Sequence, residues 1–161
     1  ARQYVLLING KFKREGKNMT IPQISVFLEN KAGQLADITG ILSENQVNMR
    51  AISIAESADY GILRLIVDDA HKASSVLLEQ GFVLTMTPVV GVAVADTPGG
   101  LSKVLEIISR ADIDVEYMYS VFGQKEGRAC MIFRVADTEG LTAILQKNGI
   151  DTITGEYLGL H

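Results

Sequence analysis

A chain of 161 residues, 47% of them hydrophobic, is long enough for one domain or two small ones, and no apolar run in it approaches the ~18 residues that cross a bilayer. The formal net charge of −4 is uneven: positions 1–18 hold five Lys/Arg and one Glu, so ten basic and eighteen acidic residues, net −8, remain from position 19 on. That acidic body excludes the basic face nucleic acid demands, and the single cysteine, Cys130, excludes an intrachain disulfide and fits a reducing, cytoplasmic setting.

In chain order, residues 1–18 are expected to be an N-terminal extension ahead of Met19. The stretch Arg14-Glu15-Gly16-Lys17 can be encoded by purines alone, which suits a translated upstream segment that is not native; Gln3 to Ile8 equally suits a strand on a sheet edge. Ile24, Val26 and Leu28 then alternate with Ser25 and Phe27, a strand. A helix is predicted over 33–45, with Leu35, Ile38, Ile41 and Leu42 on one side, then strands over 47–55 and 62–67 around a turn at 57–59. A second helix over 70–80 is closed by Gly81, and a strand over 82–90 ends the unit. The order then repeats. Val90, Val92 and Val94 alternate with small residues, a helix over 99–111 carries Leu101, Val104, Ile107 and Ile108, and strands follow over 113–122 and 129–135. A helix over 138–148, capped by Asp137 or Thr138, and a strand over 150–158 complete it.

The two halves match at a constant shift. Gly33 maps onto Gly99, Asn48 onto Asp114 and Gly61 onto Gly127, all 66 positions apart, while Gly81 maps onto Gly149 at 68. The predicted fold is α+β: two tandem ferredoxin-like βαββαβ domains, 19–88 and 89–161, with antiparallel sheets and helices on one face. Units of about 70 residues leave much apolar surface uncovered, so they are expected to bury faces against each other, as an intrachain pair with a pseudo-twofold eight-stranded sheet, or in a homodimer.

Candidate chemistry is sparse. Only His71 and His161 are present, neither at ligand spacing from an acid or cysteine, and the chain lacks G-x-G-x-x-G, G-x-x-x-x-G-K-[ST] and G-x-S-x-G. Asp68-Asp69 is explained by the preference of helix N-termini for acids. What remains is the strand-to-helix loop of each unit, Glu29 to Gln34 and Asp96 to Gly100. There, helix N–H groups face outward and glycine lets a carboxylate approach the backbone. Asn48 and Asp114, opening the next strand, are expected to lie close by and hold an ammonium. Ordinary turn punctuation accounts for the same residues without a ligand.

These residues resemble the ACT domain family. Asn30-Lys31-Ala32-Gly33-Gln34-Leu35 with Val47-Asn48-Met49, and Asp96-Thr97-Pro98-Gly99-Gly100-Leu101 with Ile113-Asp114-Val115, are similar to its hallmark Asn-x-Pro-Gly-x-Leu followed by an Ile/Val-Asn-Ile strand entry. The resemblance implies the ferredoxin-like fold and regulatory binding of a small amino acid between domains whose sheets join side by side, with no cofactor and no chemistry on the ligand. The implied contacts are Asn30, Lys31, Ala32, Gly33, Gln34, Leu35, Asn48 and Met49 in the first copy. In the second they are Asp96, Thr97, Pro98, Gly99, Gly100, Leu101, Asp114 and Val115. Met49 and Ala51, or Tyr117 and Met118, would face the ligand. Ala32 departs from the motif's proline in the first copy; Asp96 and Asp114 replace its asparagines in the second and add acid where a carboxylate would sit, so the first copy's polar pair Asn30/Asn48 is favoured. The resulting expectation is a non-catalytic regulatory module with an unidentified protein partner. The alternatives are a ligand-free dimerisation module and an acylphosphatase-like enzyme, whose phosphate loop would need an arginine that neither loop contains.

Overall fold

In the computed structural model, residues 19–29, 31–56, 59–123 and 127–161 are described; the 1–18 extension, Asn30 and two residues of the 57–59 turn lie outside them. Alternation builds the first strand, β1 (Ile21–Glu29), in which Ile24, Val26 and Leu28 are buried and Phe27 stands out on the other face. It is followed by α1 (Gln34–Glu44), β2 (Met49–Glu56), β3 (Tyr60–Val67), α2 (Ala70–Glu79), β4 (Leu84–Ala95), α3 (Gly100–Arg110), β5 (Tyr117–Ser120), β6 (Arg128–Arg134), α4 (Thr138–Lys147) and β7 (Thr152–Ile153), then a 3-10 turn, Glu156–Leu158. No helix among the described residues is long and apolar enough to cross a membrane.

The duplication is visible in the helix ends. Asp69 caps α2 by accepting from the Lys72 N–H, and Asp137 caps α4 by accepting from the Gly140 N–H, each at 2.9 Å. The other two, α1 and α3, start instead from left-handed glycines, Gly33 (φ 91°) and Gly99 (φ 85°). All four close on a left-handed residue, whether it is glycine (Gly81, Gly149) or not (Gln46, Asp112). In each case the next N–H, of Val47, Phe82, Ile113 or Ile150, returns to a carbonyl five residues back.

Within each unit the strands take the ferredoxin-like antiparallel order, β2-β3-β1-β4 and β5-β6-β4-β7. The two predicted strands over 82–90 and 90–95 are one continuous strand, β4. It pairs with β1 through Val89 and with β6 from Val90 on, so the described residues hold seven strands where eight were expected. The chain stays extended from Leu84 to Ala95 without a turn, and Pro88, which has no N–H to offer, faces Pro22 across the ladder. Gly91 marks the handover from β1 to β7: a Cβ there would lie 2.8 Å from Ile21 Cδ1 and 3.1 Å from Ile153 Cβ. The predicted 113–122 and 150–158 strands are also shortened, to the four residues of β5 and the two of β7, the latter giving way to the 3-10 turn between Gly155 and Gly159.

Two cores lie between sheet and helices, one around Ile24, Leu65, Ile38 and Leu77, the other around Val92, Phe133, Ile108 and Leu145. A third, of Ile21, Ala51, Ile66, Val89, Tyr119 and Ile132, joins the units through their helix-free faces. The strands of the two units are joined in one path through β4, as a side-by-side sheet requires, but beyond β4 the units meet face to face rather than edge to edge. Each helix-free face carries an apolar patch that edge-to-edge pairing would leave in water, and packing the two patches together removes both. Main-chain bonds stitch the seam, from Phe122 N–H to the Arg50 carbonyl (2.8 Å) and from His161 N–H to the Asp68 carbonyl (2.8 Å).

Candidate functional site

The first corner, between β1 and α1, stands over a cavity of about 580 Å³. Lys31, Ala32, Gly33, Gln34 and Leu35 line it from the corner, and Ile54, Glu56 and Tyr60 from the ends of β2 and β3. Gly33 is open to it, since a Cβ there would meet nothing within 4 Å. As the first residues of α1, Gln34 to Ala36 present N–H groups that have no carbonyl inside the helix to bond. Lys31 forms an ion pair with Glu29 at the mouth, and both side chains are exposed. Most telling is Gln34, whose Oε1 is buried without a hydrogen-bond partner among the described residues. A buried, unpaired acceptor costs free energy until something donates to it. Gln34 also lines a neighbouring hollow of about 450 Å³ with Phe27, Phe82 and Val83. Phe27 in turn stacks on Tyr60, with centroids 5.0 Å apart.

Leu35, expected to continue the buried helix stripe, is 39% exposed and faces the cavity, whereas its counterpart Leu101 packs on the second core. Ile54, Glu56 and Tyr60 escaped the sequence reading because they lie more than 18 positions from the loop. The signal was available in the strand order: β1 and β2 both run antiparallel to β3, so their C-terminal ends share one edge.

The same geometry corrects the placement of Asn48, Met49, Asp114 and Val115. A right-handed crossover returns the start of the next parallel strand to the edge where the first strand began, at the far end of the sheet from the corner. Asn48 is there, donating its N–H to Asp68 Oδ1 (2.9 Å) and accepting from the Asp68 N–H (3.0 Å), while Met49 packs on the first core. Asp114 is exposed ahead of β5, whose Tyr117 pairs with Arg134; the corner at the end of β4 lies beside Arg128, at the opposite end of β6. Val115 and Met118 pack on the second core. Asn30 lies outside the described residues.

The second corner keeps the left-handed glycine but is folded down. The Gly100 N–H donates to the Thr97 carbonyl (3.0 Å) and the Asp96 N–H to the Gly127 carbonyl (3.1 Å), while Thr97, Pro98 and Gly99 are exposed. Gly100 itself is buried so closely that a Cβ would sit 2.0 Å from the Ala95 carbonyl oxygen.

Tyr117, expected to face a ligand, belongs to the seam. The buried Gln23 donates to Tyr117 Oη (2.8 Å) and to Ser25 Oγ (2.9 Å), and its Oε1 accepts from Tyr119 Oη–H (2.6 Å). The Arg64 guanidinium lies 3.5 Å from the Tyr117 ring centroid. Burial, then the neighbouring Tyr117, push the Tyr119 hydroxyl well above its ordinary pKa, with Arg64 opposing.

Comparison with known proteins gives a consistent picture. A family model described as "ACT domain pair" matches residues 19–159. A crystal structure of a protein from Bacteroides thetaiotaomicron is 36% identical, with a TM-score of 0.81 over 88% of this chain and 96% of that one. The regulatory subunit of aspartate kinase from Thermus thermophilus shares the fold at 17% identity, with a TM-score of 0.58 over 82% of this chain and 95% of that one. Its Thermus flavus counterpart does so at 16% identity, with a TM-score of 0.52 over 80% and 93%. No curated protein matches.

Proposed function

This chain belongs to the ACT domain pair family, and from that premise we propose that it is a non-catalytic regulatory module that takes a small α-amino acid at the first corner and passes the occupied state to a partner protein. The observation that carries the reading is the buried Gln34 Oε1, without a partner among the described residues, on a side chain that lines the cavity at the N-terminus of α1. An α-amino acid offers the complementary pair of groups. Its carboxylate suits the unpaired N–H groups and positive end of α1 and the Lys31 ammonium; its ammonium suits Gln34 Oε1 and the Glu56 carboxylate. The shared fold with regulatory subunits supports a role without chemistry on the ligand. A buried Cys130 outside any disulfide is compatible with a reducing cytoplasm.

For the state to be transmitted, the ligand must favour one docking of the two units over another. Tyr60, which lines the cavity, and Phe27, which stacks on it, share the helix-free face of the first sheet with Gln23 and Arg64 of the seam, which supplies a physical route.

Isothermal titration of the full chain against the twenty amino acids tests the reading. At least one is expected to bind with Kd of roughly 1 mM or tighter, about −4 kcal/mol, and to raise the melting temperature by mass action. Gly33→Val and Gln34→Leu should each abolish binding. Silence across all twenty leaves the chain a pairing module without ligand.

A further inference from the structure

A second cavity, of about 350 Å³, lies at the seam itself, where the start of β2 meets the end of β5 and the C-terminal 3-10 turn. Arg50 from the first unit and Val121, Phe122, Tyr157 and Leu158 from the second line it. Arg50 is the extra residue of a β-bulge: Met49 pairs with Val67 and Ala51 with Ile66, leaving Arg50 outside the ladder. A bulge of this kind turns one side chain away from its strand's alternation. The Arg50 carbonyl is pinned by the Phe122 N–H (2.8 Å), so the residue is held by both units. Its Nε is buried with no hydrogen-bond partner among the described residues. A guanidinium cannot shed its charge, so a buried N–H left unpaired calls for an acceptor. Gly159, in a left-handed conformation (φ 71°), brings bare backbone to the other end of the same guanidinium, where a Cβ would lie 3.1 Å from Nη2.

We propose that this seam cavity binds a small monocarboxylate with a short apolar body, its two oxygens on the Arg50 guanidinium and its body against Val121, Phe122 and Leu158. Planar two-oxygen anions match the guanidinium fork. Glu156, exposed at the cavity, disfavours a second negative charge on the ligand. Because both units contribute, occupancy there stabilises their docking. The site shares no residue with the first corner and does not rest on the amino-acid reading.

Isovalerate and its uncharged isostere isovaleramide are the probes, titrated into the full chain by calorimetry and by amide NMR. Isovalerate should bind and shift the amides of Phe122, Gly123 and Gly159 while leaving Gly33 and Gln34 in place; isovaleramide should bind at least ~10-fold more weakly, the size of one charged hydrogen bond. Arg50→Gln should abolish binding, and Arg50→Lys, which keeps the charge and loses the fork, should fall between. Gln34→Leu, which disables the first corner, should bind isovalerate unchanged. Equal binding of the two probes, an unaltered Kd in a folded Arg50→Gln variant, loss of binding in Gln34→Leu, or no binding up to roughly 10 mM would each overturn the proposal.

Discussion

Gly33 and Gly99 occupy the same left-handed position at the same place in each unit, yet the first corner stands over a cavity and the second is folded onto Ala95. The 66-residue shift pairs Lys31 with Thr97, Gln34 with Gly100, and the cavity-facing Leu35 with the core-packed Leu101. Duplication copied the backbone turn, while the residues flanking it differ: Gln34 lines a cavity, and its counterpart Gly100 is buried against Ala95. The seam breaks the repeat in the same manner. At that shift Tyr117 and Tyr119 correspond to Ala51 and Ser53, and Gln23 to Val89, so the polar network exists in one copy only.

The sharpest break in this comparison is expected from alanine at the corners. Gly100→Ala drives a Cβ into the Ala95 carbonyl and should cost about 3 kcal/mol, at the upper end for overpacking. Gly33→Ala has open space and only its positive φ to oppose it, so about 1 kcal/mol is expected. Urea midpoints at constant slope report both, and equal losses would mean that the two corners do not differ as described.

At the seam, Gln23→Leu leaves the Tyr119 hydroxyl buried without its acceptor and should cost about 2 kcal/mol. The network also carries a pH dependence. The folded-state pKa of Tyr119 is raised above its unfolded value of 10.0, so the folded chain holds this proton where the unfolded chain releases it. Its contribution is fully present below pH ~10 and is lost as pH rises from there toward the folded value. Tyr119→Phe should flatten this alkaline fall in denaturation midpoints measured across pH 9 to 11, roughly the range of the free phenol; an unchanged slope would place its origin elsewhere. The smallest effect is the symmetric control: Asp69→Ala and Asp137→Ala remove equivalent caps and should each cost about 1 kcal/mol, with thermal melts showing matched losses.

Much of this architecture was legible in the chain. Ile24, Val26 and Leu28 announced a strand by alternation, Asp137 and Gly81 marked a helix start and stop, and the matched glycines exposed the duplication. The strand-to-helix turn from Glu29 to Gln34 was legible too, because a glycine at a helix start is a local feature. Glu56 and Tyr60 were not, since only strand order brings them to that edge, and Asn48 was misplaced for the same reason. Arg50 gave no sign, since a bulge is visible only when two strands are laid side by side.

By itself, then, the sequence determined the elements, their order and their repetition, since hydrophobic period and turn chemistry are properties of neighbouring residues. The tertiary structure alone decided that β4 runs unbroken between the units, that their helix-free faces meet, and that Arg50 Nε and Gln34 Oε1 are buried without a partner among the described residues. The physical reason is that apolar attraction has no direction: a periodic stripe states which face must be buried, and only the packing of the whole chain selects what buries it.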